Sequence, residues 1–136
     1  MFKRFIYMFN FALLTLMFLS HQAIANPLMG AWEIAESKWN NENVKLTEPR
    51  AVKIYSAENF MYSYYDISNP EDVLIGQGSY VFSDGNVSET ISNHSNKELI
   101  GEVYKFEISF SEDKSTFSQT VMFGENKLDE VWRRLD

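Results

Sequence analysis

The sequence contains no cysteine, and after residue 25 it contains one histidine, His94. Without cysteine no disulfide framework can form, and a bacterial lipoprotein, which needs a cysteine at the cleavage site, is excluded. A lone histidine cannot supply a structural zinc site, and we expect this one in a hairpin loop, where nothing favours a Ser-His-Asp arrangement. Phosphate-binding glycine loops, HExxH and EF-hand spacing are missing too. We therefore expect no metal, no cofactor and no catalytic residue.

Positive charge is also scarce. The chain has 12 Lys and Arg residues against 19 Asp and Glu residues, which gives a formal net charge of −7. Two of the cations, Lys3 and Arg4, fall in the first 25 residues, which contain no acidic residue, so the remaining chain carries −9. A surface this acidic repels the phosphates of nucleic acids and disfavours anionic membrane surfaces. We expect no nucleic-acid partner.

The first 25 residues are typical of a cleaved signal peptide. Two positive charges precede the apolar stretch Phe5–Leu19, and the small residues Ala23 and Ala25 fit cleavage before Asn26. A membrane anchor is the alternative, but a span needs about 20 apolar residues and this run is shorter. We expect export to a periplasm or the extracellular space, with no stable membrane anchor after cleavage. Residues 26–136 then form one small domain.

Apolar and polar residues alternate with period two along residues 26–136, which predicts antiparallel strands with one buried face. In Glu102–Phe110, for example, every second side chain is aromatic or aliphatic. Asp84-Gly85-Asn86 predicts a tight hairpin because these residues tolerate positive φ, and further turns are predicted within 55–60 and 110–116. The predicted strands cover residues 30–38, 50–56, 59–66, 76–83, 86–93, 99–111, 114–123 and 128–135.

About eight consecutive strands joined by hairpins predict an all-β fold. Closure into an antiparallel up-and-down barrel buries the apolar faces and removes exposed strand edges. A two-sheet sandwich is the alternative. The longer connections are expected at 40–49 and 67–75. An eight-stranded barrel holds little more than its own side chains or one small ligand, so any cavity should be modest.

Two short motifs mark the ends of the predicted barrel. A Gly-x-Trp element (Gly30, Trp32) opens the first strand, and a Trp-x-Arg element (Trp132, Arg134) closes the last. Together with the strand pattern they resemble the calycin superfamily, and more closely the small secreted bacterial lipocalin-like families of unknown function. The resemblance covers nearly all of residues 26–136 and implies a lipocalin-like barrel. It also favours Arg134 over Arg133 as the inward arginine, whereas the strand pattern leaves both open.

In a closed barrel the last strand pairs with the first, so Trp32 and the segment 132–134 should be neighbours. An arginine over an indole face gains roughly 0.5–2 kcal/mol of cation–π attraction. Gly30 permits a close approach that a Cβ would block. Trp32 and Arg134 could therefore close one end of the barrel or, alternatively, belong to a ligand site.

Glu89 is the polar residue that fits the predicted core least well. It shares a face with Val87 and Ile91, so it should point inward, where a carboxylate without a partner is costly. Its candidate partners are Arg134 and the hydroxyls of Tyr62, Tyr80 and Tyr104. Gln119 is likewise in phase with inward apolar residues. These groups either anchor a small ligand in an apolar lumen or satisfy one another in a filled core.

The leading hypothesis is an exported, non-enzymatic barrel that binds a small, mostly hydrophobic ligand. The predicted ligand-binding residues are Trp32, Tyr62, Tyr80, Glu89, Tyr104, Phe106, Gln119 and Arg134, with Phe117 as a further lining residue. One alternative is a structural or protein-interaction module with a filled barrel and no ligand. Another is an enzyme that uses Glu89 as an acid or base. The sequence makes no prediction of the oligomeric state.

Overall fold

The chain folds into one antiparallel sheet that closes on itself. A computed structural model describes residues 26–66, 68–69 and 71–136, so the predicted signal peptide lies outside the described residues. The strands found there are β1 (Gly30–Trp39), β2 (Glu42–Asn43), β3 (Val52–Tyr55), β4 (Asn59–Tyr65), β5 (Val73–Ser83), β6 (Asn86–His94), β7 (Val103–Phe110), β8 (Thr116–Phe123) and β9 (Asn126–Arg134). A 3₁₀ turn, Lys97–Leu99, precedes β7. No helix in this part of the chain is long and apolar enough to cross a bilayer.

Strand pairing closes the barrel between its first and last strands. From β3 to β9 each strand pairs with the next, β1 pairs with β3, and β1 also pairs with β9 from Trp32 to Trp39. Eight strands, β1 and β3 to β9, therefore form a closed barrel, while the two-residue β2 pairs with the end of β1. The predicted all-β up-and-down barrel is confirmed, and the sandwich alternative is wrong.

The differences from the predicted strands are local. The connection 40–49 contains the short β2, and β5 begins at Val73, where it pairs with the end of β4. A strand was expected from residue 99, but the Asn96 side chain accepts a hydrogen bond from the Glu98 N–H and caps the 3₁₀ turn, so β7 begins only at Val103. Such side-chain bonds to the local backbone compete with strand pairing.

The two ends of the barrel differ. Tight hairpins join β3 to β4, β5 to β6 and β7 to β8 at the end that we call the closed end. In the second of these, Asp84 and Gly85 both have positive φ, as the sequence predicts. The longer connections 44–51, 66–72 and 95–102 lie at the opposite, open end, together with the tight turn between β8 and β9. Longer loops at one end of a rigid scaffold are a common place for binding sites.

Trp32 and Arg134 lie at the closed end of the barrel and fill it. The register of β1 and β9 places them directly opposite each other, and the guanidinium carbon lies 4.1 Å from the centroid of the indole ring. The guanidinium also donates hydrogen bonds to the carbonyls of Pro27, Met29 and Lys114. Trp32 has no exposed surface. The predicted neighbourhood of the two motifs is confirmed.

Gly30 makes this closure possible. Its φ is +131°, and a Cβ at this position would collide with Nη1 of Arg134. Arg133 points the other way, to a surface ion pair with Glu33 at 2.9 Å. Arg134 is therefore the inward arginine, as the family resemblance implies and as the strand pattern alone could not decide.

Candidate ligand-binding site

A cavity of about 610 Å³ enters the barrel from the open end. This volume lies within the usual range for small-molecule sites, about 300–1,000 Å³. Its wall includes apolar and aromatic side chains from β5, β7, β8 and β9, among them Leu74, Tyr104, Phe106, Val121 and Leu128, together with tyrosines of β4. The aromatic residues of the chain therefore fill the closed end but leave a sizeable space beside the open one.

An apolar groove of about 360 Å³ adjoins this cavity. It lies between the end of β1 and the segment 44–47, and it shares Tyr64, Tyr65, Leu128 and Glu130 with the cavity. Since the groove and the cavity share part of one wall, the apolar surface continues from inside the barrel to its rim.

A buried ion pair lies at the inner end of the cavity. Nζ of Lys53 is 3.1 Å from Oε1 of Glu89, and both side chains are 4% exposed. The Tyr55 hydroxyl donates a short hydrogen bond to the same oxygen. Four aromatic rings surround the Lys53 ammonium group, with their centroids 5.4–5.8 Å away: Tyr55, Tyr62, Phe106 and Trp132. Direct pairing and the electron-rich ring faces offset the cost of removing both charges from water.

The strand pattern explains how Lys53 reaches this position. Ala51, Lys53 and Tyr55 alternate with exposed Ile54, and all three are buried. The predicted partners of Glu89 were Arg134 and the hydroxyls of Tyr62, Tyr80 and Tyr104. They are wrong: the hydrogen bonds to Glu89 among the described residues come from Lys53 and Tyr55. Arg134 is not a partner of Glu89, since its guanidinium is hydrogen-bonded to main-chain carbonyls at the closed end.

A second buried carboxylate, Glu130, lies beside the ion pair and is 4% exposed. Its Oε2 accepts hydrogen bonds from Gln119 Nε2 at 2.7 Å and Trp132 Nε1 at 3.1 Å, and the Tyr64 hydroxyl lies 3.4 Å away. Burial raises the pKa of the Glu130 carboxyl, against the lowering effect of the Lys53 charge and of these hydrogen bonds. Oε1 of Gln119 is buried with no hydrogen-bond partner among the described residues.

The tyrosines around these groups remain protonated at neutral pH. Burial, with the Glu89 charge second, raises the pKa of Tyr62 to about 12. Burial and then the Glu130 charge raise the pKa of Tyr64 as well. The Tyr62 ring lies so close to Gly76 that a Cβ there would collide with it. Protonated hydroxyls can each donate one hydrogen bond and accept others.

His94 lies on the cavity wall and not in a hairpin loop as predicted. It ends β6, is 4% exposed, and faces Gly76 of β5. A register shift at Gln77 and Gly78 precedes this pair, and such a bulge changes which side chains point inward. Nδ1 of His94 accepts the Asn96 N–H at 2.8 Å. In the described part of the chain no group of three His, Cys, Asp or Glu side chains could hold a metal ion.

The structure divides the predicted site residues between the two ends. Five of the eight line the cavity: Tyr62, Glu89, Tyr104, Phe106 and Gln119. The other three, Trp32, Tyr80 and Arg134, lie towards the closed end, as does the further lining residue Phe117, which packs edge-on against Trp32 with the ring centroids 4.7 Å apart. The Tyr80 hydroxyl is bonded there to Ser56 and Asn26.

Eight polar or aromatic residues of the cavity were not predicted from the sequence: Lys53, Tyr64, Tyr65, Asp66, Ser68, His94, Phe123 and Glu130. A signal was present for two of them. Lys53 is in phase with buried residues of β3, and Glu130 is in phase with Leu128 and Trp132 of β9. The same alternation that identified Glu89 would therefore have placed both charges inward.

Two of the solved structures with the same fold come from Bacteroides species. One is a lipocalin-like protein from Bacteroides uniformis, with a TM-score of 0.52, 14% identity, and coverage of 80% of this chain and 99% of that chain. The other is an uncharacterised protein from Bacteroides eggerthii, with a TM-score of 0.51, 15% identity, and coverage of 79% and 98%. At such low identity the likeness shows the fold alone, which is lipocalin-like.

Among curated proteins none matches the chain. A family model does match, over residues 27–136, and so includes all of the barrel. The chain therefore belongs to the family described as Domain of unknown function (DUF4488).

Proposed function

We propose that this protein binds a small, mostly apolar molecule in the cavity at the open end of its barrel, without catalysing a reaction. The observation that carries the proposal is the cavity of about 610 Å³ itself. It has apolar walls, a few buried polar groups at its inner end, and a mouth on the side of the longer loops. This combination is typical of small-molecule sites, and it disfavours the alternative of a filled barrel with no ligand.

The rim of the cavity supports the same function. The Trp39 and Phe123 rings lie 6.0 Å apart at the open end, and Tyr104 lies 5.9 Å from Phe123. Trp39 and Phe123 are 40% and 39% exposed. Aromatic side chains that remain partly in water beside an apolar opening give an entering apolar molecule its first contacts.

A binding role fits the buried carboxylates better than an enzymatic one. Oε1 of Glu89, the predicted acid or base of the alternative, is already bound by Lys53 and Tyr55, which leaves a substrate only its second oxygen. A general acid or base needs its oxygen within hydrogen-bond reach of a substrate. The sequence of residues 1–25 adds export to the proposal, so the ligand would be met in a periplasm or outside the cell.

Filling the cavity should abolish binding. Val121 is 6% exposed and lines the cavity, whereas Val81 is 68% exposed on the outer face. We expect Val121→Trp to weaken uptake of the uncharged fluorescent probe N-phenyl-1-naphthylamine at least about tenfold, because the indole takes the space of the ligand. Val81→Trp makes the same change in composition outside the barrel and should leave the affinity unchanged. The measurement is a fluorescence titration of both variants and the parent protein.

Two results would contradict the proposal. In the first, the parent protein takes up no probe of this kind. In the second, Val121→Trp and Val81→Trp reduce the affinity equally, which would place the probe on the outer surface.

A further inference from the structure

We infer, on the basis of the proposed function, that the cavity selects molecules carrying a protonated amine at the buried end. Glu130 and Gln119 receive that group, and the apolar walls hold the remainder of the molecule. The inference deepens the proposed function by naming the chemical class of the ligand, and it rests on three features of the inner end of the cavity.

The first feature is the charge left at the inner end. The charged residues on the cavity wall are Lys53, Glu89, Glu130 and, near the mouth, Asp66. Lys53 and Glu89 neutralise each other at 3.1 Å. No cation of the described residues lies within 4 Å of Glu130, and Lys53, which is paired with Glu89, acts on Glu130 only from a greater distance, so a ligand can compensate the Glu130 charge by direct contact. An ammonium group does so, whereas a carboxylate would add a second negative charge with no free cation beside it.

The second feature is unused hydrogen-bonding capacity. Glu130 accepts its hydrogen bonds from neutral groups of Gln119, Trp132 and Tyr64. Oε1 of Gln119 has no donor among the described residues, although Gln119 is 5% exposed. The Glu130 carboxylate and the Gln119 amide oxygen are both acceptors, and the two side chains are hydrogen-bonded to each other. An ammonium group has three N–H donors and no acceptor, so it can satisfy both at once.

The third feature is the aromatic surroundings of Glu130. The Tyr64 and Trp132 rings lie beside it, with their centroids 5.9 Å apart and their planes at 83°. Aromatic faces attract cations, and more strongly where water is excluded. Lys53 already shows this at the same end of the cavity, since four rings lie within 5.8 Å of its ammonium group. Trp132, whose Nε1 donates a hydrogen bond to Glu130, is one of these four rings, so the aromatic cluster around Lys53 extends as far as Glu130.

Three probes with one carbon cage and different head groups test the inference. They are 1-aminoadamantane, 1-adamantanol and adamantane-1-carboxylate, each used to displace N-phenyl-1-naphthylamine from the protein at pH 7. We expect the amine to bind at least about tenfold more tightly than the alcohol, and the carboxylate to bind most weakly. Equal or tighter binding of the alcohol or the carboxylate overturns the inference and leaves the proposed function intact. If neither the dye nor any of the three probes binds, both fail.

A matched pair of variants assigns the preference to Glu130. Glu130→Gln removes the buried charge but keeps an acceptor oxygen and nearly the same shape. Asp129→Asn makes the same change in net charge one residue away, where Asp129 is 30% exposed and bonded to Lys127 and Thr120. We expect the preference for the amine over the alcohol to fall about tenfold or more in Glu130→Gln and to persist in Asp129→Asn. An unchanged preference in Glu130→Gln, or equal losses in both variants, overturns the assignment. If Glu130→Gln does not fold, the probe ranking with the parent protein still decides the inference.

Discussion

Replacing Glu89 with leucine is expected to destabilise the protein by about 3–5 kcal/mol, because the buried ammonium of Lys53 is left without its counter-ion. Lys53 is 3% exposed, so it cannot recover its hydration without disturbing the core. The Tyr55 hydroxyl loses its acceptor in the same variant. The measurement is the free energy of unfolding from urea titration monitored by tryptophan fluorescence and circular dichroism. Glu107→Leu on the outer face of β7 is the control, expected to change stability by less than about 0.5 kcal/mol.

The double variant Lys53→Met/Glu89→Leu should recover most of that loss. Replacing both members of a buried ion pair with apolar residues of similar volume is often neutral or stabilising, by about 1–4 kcal/mol. The pair would be shown not to be coupled if Glu89→Leu cost less than about 1 kcal/mol. The same conclusion would follow if the double variant were no more stable than Glu89→Leu.

Removing Trp32 at the closed end should destabilise the protein about as much as Glu89→Leu does. Trp32→Ala is expected to cost about 3–5 kcal/mol, the usual range for a fully buried aromatic residue. The indole has no exposed surface, and its Nε1 donates a hydrogen bond of 2.9 Å to the Leu28 carbonyl. Trp39→Ala is a matched control, because Trp39 lies at the open end with 40% of its surface exposed. Trp39→Ala should lower the free energy of unfolding by only a small fraction of that amount in the same urea titration.

The contribution of Arg134 to this cluster can be separated by a double-mutant cycle. Arg134→Ala, Trp32→Leu and the combination should give a coupling free energy of about 0.5–2 kcal/mol, the size of a cation–π contact, because leucine has no ring face. A coupling near zero would mean that Arg134 stabilises the closed end through its bonds to main-chain carbonyls and not through the ring.

The fold was predictable from the sequence because each long strand buries one face. Alternation with period two survives in β4, β7 and β8, and it gives the inward face directly. The short hairpin at Asp84 and Gly85 followed from residues that accept positive φ. The short β2 and the 3₁₀ turn were missed, since such elements depend on a few local hydrogen bonds and leave no periodic pattern.

The site was only partly predictable, because alternation gives the face of a side chain but not its depth. Tyr62 and Tyr80 are both inward, yet one lies on the cavity wall and the other is bonded to Asn26 towards the closed end. Depth follows from strand register, which the sequence does not specify. Likewise, no local sequence pattern predicts the register shift between β5 and β6 at Gly78. Beyond this shift, His94 pairs with Gly76.

Binding at the open end is tested most directly by amide chemical shifts of the ¹⁵N-labelled protein during titration with N-phenyl-1-naphthylamine. We expect saturable shifts at amides around the cavity, such as those of Leu74, Tyr104 and Val121. The amides of Trp32 and Phe117 at the closed end should stay in place. Shifts centred on the closed end, or no saturable shift at any amide, would contradict a ligand cavity at the open end of this barrel.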